Sequence, residues 1–241
     1  MSLLDSLVSY WKFDENTTGN RADSHGPHTL NAVGSPQPDP GILGYAVRVG
    51  TSTWLYVDDH PDFRLGTSDL TISLWAYTTT PADDVYLVYK GDTNIEFAVR
   101  MVKDPSGYYY YEGLLKDSAS MTQPLIVRSA NAWTSGAWRH LVFVIKNGVE
   151  IEFYSNATRT ANSWSGTTSG FTSSGKYCVG CRISGGYSVD YFPGRIDEMG
   201  FWRRALSQSE VSELYNSANA LSYPFGEVPA KGAPFLMFLG I

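Results

Sequence analysis

Short segments in which apolar and polar residues alternate run through most of the chain. Such alternation is typical of strands that bury one face, and turn-forming residues separate the segments. The segments that carry the pattern are Leu7–Phe13, Tyr45–Val49, Trp54–Val57, Leu70–Tyr77, Val85–Tyr89, Ile95–Val102, Tyr108–Leu115, Trp138–Ile145, Val149–Tyr154, Lys176–Ile183 and Tyr191–Trp202. Many short strands joined by turns predict an all-β fold, a two-sheet antiparallel β-sandwich of the jelly-roll type.

Two of the turns predict hairpins. Asp104-Pro105-Ser106-Gly107 joins two predicted strands, and its residue types are those of a tight turn. Lys146-Asn147-Gly148 joins two others, and its Asn-Gly pair favours a type I′ turn. The strands on either side of each turn should therefore be antiparallel neighbours.

One short C-terminal helix is predicted after the last strand. Ser207-Gln208-Ser209-Glu210 has the spacing of a capping box, in which the first and last side chains accept each other's backbone N–H groups. Leu206 and Val211 flank the box as a hydrophobic staple. We expect the helix to end near Ser217.

The composition changes at about Ser222, so we divide the chain into a sandwich domain, residues 1–221, and an apolar C-terminal tail, residues 222–241. An apolar terminus left in water would promote aggregation, so the tail should pack on its own sandwich or insert into a neighbour. We favour the neighbour, as in a homo-oligomer or a larger assembly. The candidate assembly residues are Phe235, Leu236, Phe238 and Leu239.

Composition and charge narrow the function classes. With 43% hydrophobic and 17% charged residues, the chain is not of the disordered class. Its net charge is −6 and it has no basic run, so nucleic acid is not an expected partner. No apolar run approaches the ~20 residues of a spanning helix, and residues 1–5 have no basic segment. We therefore expect neither membrane insertion nor a signal peptide.

Cys178 and Cys181 have the C-x-x-C spacing of some zinc and redox sites. They lie on a predicted strand, where residues three apart point to opposite faces. The two thiols should therefore be unable to meet, and we predict two small core residues.

Several motifs occur in the order found in one known family. They are Asp23-Ser24-His25-Gly26, Gly44–Val49, Leu70–Ala76, Trp138–Phe143, Gly194–Met199 and Trp202–Ser207. In combination they resemble the laminin-G-like branch of the concanavalin A-like lectin/glucanase superfamily, over residues 7–217. The resemblance implies two antiparallel sheets in a jelly roll.

The resemblance also implies a structural calcium ion. Asp23 lies in a glycine-containing loop, and the family pattern pairs it with Asp197, with Asn31 or backbone carbonyls completing the shell. The alternative is an Asx-turn at Asp23 and a salt bridge from Asp197 to Arg195 or Arg48.

A transition-metal site made of Asp23, His25 and His28 is also conceivable, since imidazole and carboxylate bind such ions. Histidines in surface loops are usually solvated, so we do not favour it. His140 lies among apolar residues of a predicted strand and is interpreted as a core or sheet-edge histidine.

Glycans stack on exposed aromatic rings, and four residues are candidates for such contacts. The run Tyr108–Tyr111 places two rings on each face of its strand, and one pair could form a platform. The candidates are Tyr109, Tyr111, Trp164 and Tyr187. The alternative is that these rings line the sandwich, because aromatic residues make up 14% of the chain.

The sequence does not favour an enzyme. The glucanase members of the superfamily carry Glu-x-Asp-x-x-Glu on one strand, which aims three acids into a cleft. Glu150-Ile151-Glu152 lacks the third acid, and Ile196-Asp197-Glu198 lacks the first.

We therefore expect a non-catalytic binding or assembly module. The favoured interpretation is a structural or decoration component of a bacteriophage virion, which could also recognise surface glycans. The alternatives are a secreted or cell-surface, lectin-like carbohydrate-binding adhesion module and, last, a degenerate glycoside hydrolase. Each of the first two implies a location on a virion surface or outside the cell.

Overall fold

A computed structural model of the chain describes residues 1–92, 95–117, 121–163 and 173–225. Nearly all regular structure in these residues is β. The strands are β1 (Leu7–Trp11), β2 (Asn31–Val33), β3 (Gln37–Pro40), β4 (Tyr45–Val49), β5 (Trp54–Val57), β6 (Leu70–Tyr77), β7 (Val85–Gly91), β8 (Ile95–Lys103), β9 (Tyr109–Leu115), β10 (Leu125–Arg128), β11 (Arg139–Lys146), β12 (Glu150–Ser155), β13 (Thr158–Ser163), β14 (Tyr177–Val179), β15 (Arg182–Ser184), β16 (Tyr187–Val189) and β17 (Gly194–Trp202). Helix α1 spans Gln208–Tyr215, and 3₁₀ turns span Pro61–Phe63 and Asn216–Ala218.

The strands form two large sheets and one hairpin. The eight-stranded sheet has the order β13-β12-β11-β6-β17-β4-β3, with β1 also paired to β17. The seven-stranded sheet has the order β10-β9-β8-β7-β14-β5-β2, and β15 and β16 form a separate two-stranded hairpin. The named strands that pair with each other run antiparallel, as at β8–β9 and β11–β12. The predicted fold class, a two-sheet antiparallel sandwich with one short helix, is confirmed.

The main core lies between the two large sheets. Its centre is aromatic: the Phe63 and Tyr177 rings stack with centroids 4.8 Å apart, and Trp11 stacks on Phe63 at 6.2 Å. All three side chains are buried. Because Phe63 belongs to a 3₁₀ turn rather than a strand, this stack also fixes the loop between β5 and β6 against the core.

Strand β17 changes partner halfway along its length. Its first residues pair with β4 and its last residues with β1, both on the edge opposite β6. The register against β6 shifts between Asp197 and Gly200, and Glu198 has φ +46° there. A bulge of this kind bends a strand and redirects its side chains.

Helix α1 covers the outer face of the eight-stranded sheet. Ser207 Oγ accepts the N–H of Glu210, and Glu210 accepts the N–H of Ser207 at 2.8 Å, so the predicted capping box is confirmed. Leu206 and Val211 are buried beside it. The helix ends at Asn216, whose φ of +46° is left-handed.

In the described part of the chain, no helix combines the length and apolar character needed to cross a membrane.

The packed unit extends past the predicted boundary at residue 221. Tyr223 stacks on Tyr10 with ring centroids 5.0 Å apart, and Phe225 stacks on Trp202 at 6.3 Å. The first residues assigned to the tail therefore pack on their own sandwich. The candidate assembly residues Phe235, Leu236, Phe238 and Leu239 lie outside the described residues, so their role stays a prediction.

The expectation that Cys178 and Cys181 cannot meet is wrong. The predicted strand Lys176–Ile183 is two strands, β14 and β15, because Gly180 adopts φ +93° and interrupts the alternation. Both thiols therefore lie in one cluster on the outer face of the seven-stranded sheet, close enough to interact. Both are free and buried, and burial raises the pKa of Cys181 far above its usual range.

Candidate functional site

A groove of about 790 Å³ opens on the outer face of the seven-stranded sheet, beside the β15–β16 hairpin. Pockets of several hundred Å³ are the usual size for small-ligand sites. We call it the hairpin groove. The described residues that line it are Trp54, Asp58, Asp59, Gly91, Asp92, Ser174, Gly175, Lys176, Ile183, Gly186, Tyr187 and Ser188.

The hairpin forms one wall of the groove. Ser184 pairs with Tyr187 across a two-residue turn, in which Gly185 and Gly186 have φ +57° and +84°. Positive φ at both positions is the type I′ geometry that glycine allows. The turn holds Tyr187 at the hairpin tip, where 77% of its surface is exposed. A large aromatic ring therefore stands beside the groove with its face available for contact.

The floor of the groove is apolar. Trp54 is 7% exposed and packs on Tyr56, with ring centroids 5.3 Å apart. Ile183 packs against the same aromatic cluster from the hairpin. The cluster excludes water beneath the groove and fixes the hairpin on the sheet.

Charged residues also line the groove, among them Asp58, Asp59 and Lys176. Lys176 pairs with Asp58 and lies over the ring of Tyr56, with its ammonium nitrogen 4.0 Å from the centroid. The Asp58 and Lys176 side chains are 71% and 39% exposed. Because an exposed ion pair is weak, either side chain can form a hydrogen bond to a hydroxyl group of a ligand instead.

Asp59 is held more firmly. Its carboxylate accepts hydrogen bonds from Arg64 and from Lys90, the latter at 2.7 Å. The hydrogen bond from Arg64, followed by that from Lys90, lowers the pKa of Asp59 to about 2. Lys90 is fully buried and also donates to the carbonyl oxygen of Gly175. Asp59 is therefore an ionised, oriented acceptor that cannot donate a proton near neutral pH.

Gly175 brings its backbone to the groove in a place where no side chain fits. A Cβ at this position would lie 1.8 Å from the carbonyl oxygen of Gly91. The backbones of Gly91 and Gly175 are thus in close contact, and both glycines line the groove.

The predicted aromatic site residues are distributed differently from the expectation. Tyr187 lies at the hairpin groove, as described above. Tyr111 is 1% exposed and belongs to the main core, and Tyr109 packs against that core and against Trp133. The proposed platform of Tyr109 and Tyr111 is therefore wrong, because this pair faces inward.

The outer pair of the tyrosine run is Tyr108 and Tyr110. Tyr108 is 62% exposed, and Arg128 lies over the Tyr110 ring at 5.0 Å. Trp164, the remaining candidate, lies outside the described residues, so its role stays a prediction.

Asp23 uses its carboxylate to organise backbone. Oδ1 accepts the N–H groups of Tyr10, His25 and Gly26 at 3.0, 2.9 and 2.8 Å, and Oδ2 accepts that of His28 at 3.1 Å. These bonds confirm the alternative interpretation of Asp23 as an Asx-turn residue. They tie the loop to the first strand.

The other part of the alternative, a salt bridge from Asp197 to Arg195 or Arg48, is wrong, because both arginines pair with Asp39. Oδ2 of Asp197 accepts the N–H of Ile42 at 2.8 Å, and Oδ1 accepts that of Glu198 at 2.9 Å. Burial raises the pKa of Asp197 to about 8. Asn31 lies in the seven-stranded sheet and Asp197 in the other. Calcium binding by this chain stays a prediction.

Of the residues that line the groove, sequence reasoning named only Tyr187 as a site residue. It missed Trp54 and Asp59, and also Lys90, which holds Asp59 from beside the groove. Trp54 was assigned only to a strand, and the predicted strand Val85–Tyr89 stops before Lys90. A lysine that continues a run of buried strand residues is a signal for a buried ion pair, because lysine is rarely buried without a partner.

Comparisons with known proteins agree with the fold. The family model described as the concanavalin A-like lectin/glucanases superfamily, of laminin-G type, matches residues 49–212. No curated protein sequence matches the chain.

Three solved structures illustrate the likeness. The binding domain of Paraclostridial Mosquitocidal Protein 1 superposes with a TM-score of 0.72 at 18% identity, covering 90% of this chain and 53% of that one. Domain 4 of AbnA, a GH43 extracellular arabinanase from Geobacillus stearothermophilus in complex with arabinotriose, gives 0.63 at 18%, covering 86% and 97%. A third structure is of botulinum neurotoxin type C, a toxin whose cell entry depends on interaction with two ganglioside molecules. It superposes with a TM-score of 0.69 at 12% identity, covering 89% of this chain and 52% of that one.

The chain thus spans about half the length of the toxin structures and nearly all of the arabinanase domain. At these identities the superpositions show a common fold. Together with the sequence match over residues 49–212, they show that the chain belongs to the laminin-G-like family of the concanavalin A-like lectin/glucanase superfamily.

Proposed function

We propose that this domain is a non-catalytic carbohydrate-binding module and that the hairpin groove holds the sugar. The observation that carries the proposal is the exposed Tyr187 ring beside a groove that also contains fixed charged and backbone acceptors. Sugars stack their apolar faces on aromatic rings and pair their hydroxyl groups with carboxylates and backbone groups.

The electrostatics of the groove favour binding over catalysis. Glycoside hydrolysis needs one carboxyl group that keeps its proton near neutral pH and a second acid that is ionised. Asp59 has a lowered pKa, so it acts as a hydrogen-bond acceptor, and Asp58 is paired with Lys176. This arrangement suits recognition of hydroxyl groups.

The ligands of two similar structures, arabinotriose and gangliosides, support a glycan as the first ligand class to test. The proposal places the domain outside the cell or on a virion surface. Its role as a virion component, its protein partners and its oligomeric state stay predictions, because the assembly residues of the tail lie outside the described residues.

The test is a glycan array with the full chain, followed by calorimetry with the best ligand. Tyr187→Ala should weaken binding at least about tenfold, which corresponds to ~1.4 kcal/mol and is typical of losing one stacking ring. Tyr108→Ala is the matched control, since Tyr108 is also exposed and does not line the groove. Binding to no glycan, or equal losses in the two variants, would reject the proposal.

A further inference from the structure

His28, His60 and Asp62 meet between two loops, and none of the three lines the hairpin groove. Their ligand atoms all lie within 4.8 Å of one another. Nε2 of His28 is 2.8 Å from Oδ2 of Asp62, and Nδ1 of His60 is 3.3 Å from the same oxygen. A tetrahedral ion with bonds of about 2.0–2.1 Å holds its donor atoms about 3.3 Å apart. The three side chains are therefore near the spacing of a shared ion.

The position of His28 is set by its backbone and its surroundings. Its N–H donates to Asp23 at 3.1 Å, and its carbonyl oxygen accepts from the Trp11 indole at 2.8 Å. The ring is 7% exposed and packs edge-on against Phe63 at 4.9 Å. A ligand held in this way needs little rearrangement to bind an ion.

His60 and Asp62 are held by the 3₁₀ turn Pro61–Phe63. His60 is the residue before the turn, and its Nδ1 accepts the N–H of Asp62 at 3.2 Å. Nδ1 also lies 3.3 Å from Oδ2 of Asp62. An ion bound to both atoms would take the place of the hydrogen bond from the Asp62 N–H, because an imidazole nitrogen has one lone pair.

The site has an open side and a nearby positive charge. The side chains of His60 and Asp62 are 47% and 45% exposed, which leaves room for water as a further ligand. Arg203 is close enough to interact with the charge of Asp62, and its guanidinium donates to the carbonyl of Arg64. Arg203 opposes a cation, whereas the carboxylate of Asp62 favours one.

We propose that His28, His60 and Asp62 form a binding site for a divalent transition-metal ion of the zinc type. Two imidazoles and one carboxylate suit such an ion better than calcium, which prefers a shell of oxygen atoms. The ion joins the loop of Asp23 and His28 to the segment that begins at Asp58 and Asp59, two residues of the groove wall. The proposal does not depend on the ligand of the groove.

The test uses the full chain after treatment with chelator and dialysis. Zinc is titrated by calorimetry, and cobalt is titrated while its visible d–d absorption is recorded as a signature of nitrogen and oxygen ligation. We expect one ion per chain and a higher melting temperature with zinc. A large excess of calcium should not displace cobalt.

His60→Ala and Asp62→Asn should lose zinc uptake and the cobalt absorption. Both side chains are half-exposed, and circular dichroism verifies that the variants remain folded. His25→Ala is the matched control, because His25 is exposed in the same loop as His28 and lies outside the cluster. Saturable uptake that is unchanged in His60→Ala, displacement of cobalt by calcium, or no uptake by the unaltered chain would overturn the proposal.

Discussion

Lys90 lies fully buried beside the hairpin groove, with its ammonium nitrogen 2.7 Å from Oδ1 of Asp59. A buried ammonium group without a partner is strongly destabilising, so this contact does more than shape the groove. Asp58, the preceding residue, forms an ion pair with Lys176 in which its own side chain is 71% exposed. Of these two adjacent carboxylates, Asp59 therefore has a buried partner, and Asp58 has a partner that is exposed to solvent.

The first prediction compares these two carboxylates. Asp59→Ala should lower the free energy of unfolding by about 3–5 kcal/mol, because it leaves the buried side chain of Lys90 without that carboxylate. Asp58→Ala should cost less than about 1 kcal/mol, since its ion pair is exposed to solvent. Urea denaturation monitored by tryptophan fluorescence measures both. Equal costs would mean that the buried pair is not stabilising.

The second prediction concerns Gly113 of β9, whose missing side chain makes room for Phe143 of β11. A Cβ on Gly113 would lie 2.4 Å from two carbons of the Phe143 ring. Gly113→Ala should therefore cost about 1–3 kcal/mol through overpacking between the two sheets. Gly50→Ala is the control, because its nearest neighbour would be 4.0 Å away.

The double variant Gly113→Ala/Phe143→Leu distinguishes overpacking from an effect on the strand itself. The smaller leucine side chain on β11 should recover part of the loss, as measured by a double-mutant cycle. An additive cycle would contradict the packing explanation.

The third prediction is a pH dependence caused by His140. Burial lowers the pKa of His140 from its usual 6.5 to about 3. Between these values the unfolded chain binds a proton that the folded chain does not, so stability falls as the pH falls. From pH 7 to pH 5 this group should remove about 2 kcal/mol from the free energy of unfolding.

The pH effect is measured as the difference between the unaltered chain and His140→Gln, in urea denaturation at both pH values. The variant should lose stability at every pH, because the ring packs on Trp75 at 5.0 Å and Nε2 lies 2.9 Å from Ser73 Oγ. It should also have the shallower pH dependence. Parallel curves for the two proteins would contradict the assignment, and His25→Gln serves as an exposed control.

The fourth prediction tests whether the sandwich includes residues beyond 221. Phe225 is 8% exposed and packs on Tyr10 and Trp202. Phe225→Ala should cost about 3 kcal/mol, near the lower end for a buried phenylalanine because the site is at the surface of the sandwich. Tyr45→Ala, at an exposed position, should cost much less. Similar costs in thermal unfolding would place the boundary at residue 221.

Features that depend on neighbouring residues were predicted well from the sequence. Alternation along a strand is a local pattern, and β4, β5 and β6 have the predicted bounds. The Asn147-Gly148 turn has φ +51° and +66°, as a type I′ hairpin requires, because the two residue types set the backbone. The capping box at Ser207 is equally local.

Features that join distant segments required the folded chain. Alternation predicts that Tyr109 and Tyr111 lie on the same face of the strand. That this face points to the core follows only from the packing of the opposite sheet. A single left-handed residue, Gly180, brought the two cysteines to one side. Strand pairing is long-range, and its order determines which loops become neighbours.

The hairpin groove and the cluster of His28, His60 and Asp62 also form only when distant segments pack together. The groove joins β5, the end of β7, the segment before β14 and the β15–β16 hairpin, which are far apart in sequence. His28 meets His60 and Asp62 because two loops pack beside Phe63. The residue types and strand periods thus follow from short-range chemistry along the chain. The sites follow from burial of the core, which draws together side chains that the sequence keeps apart.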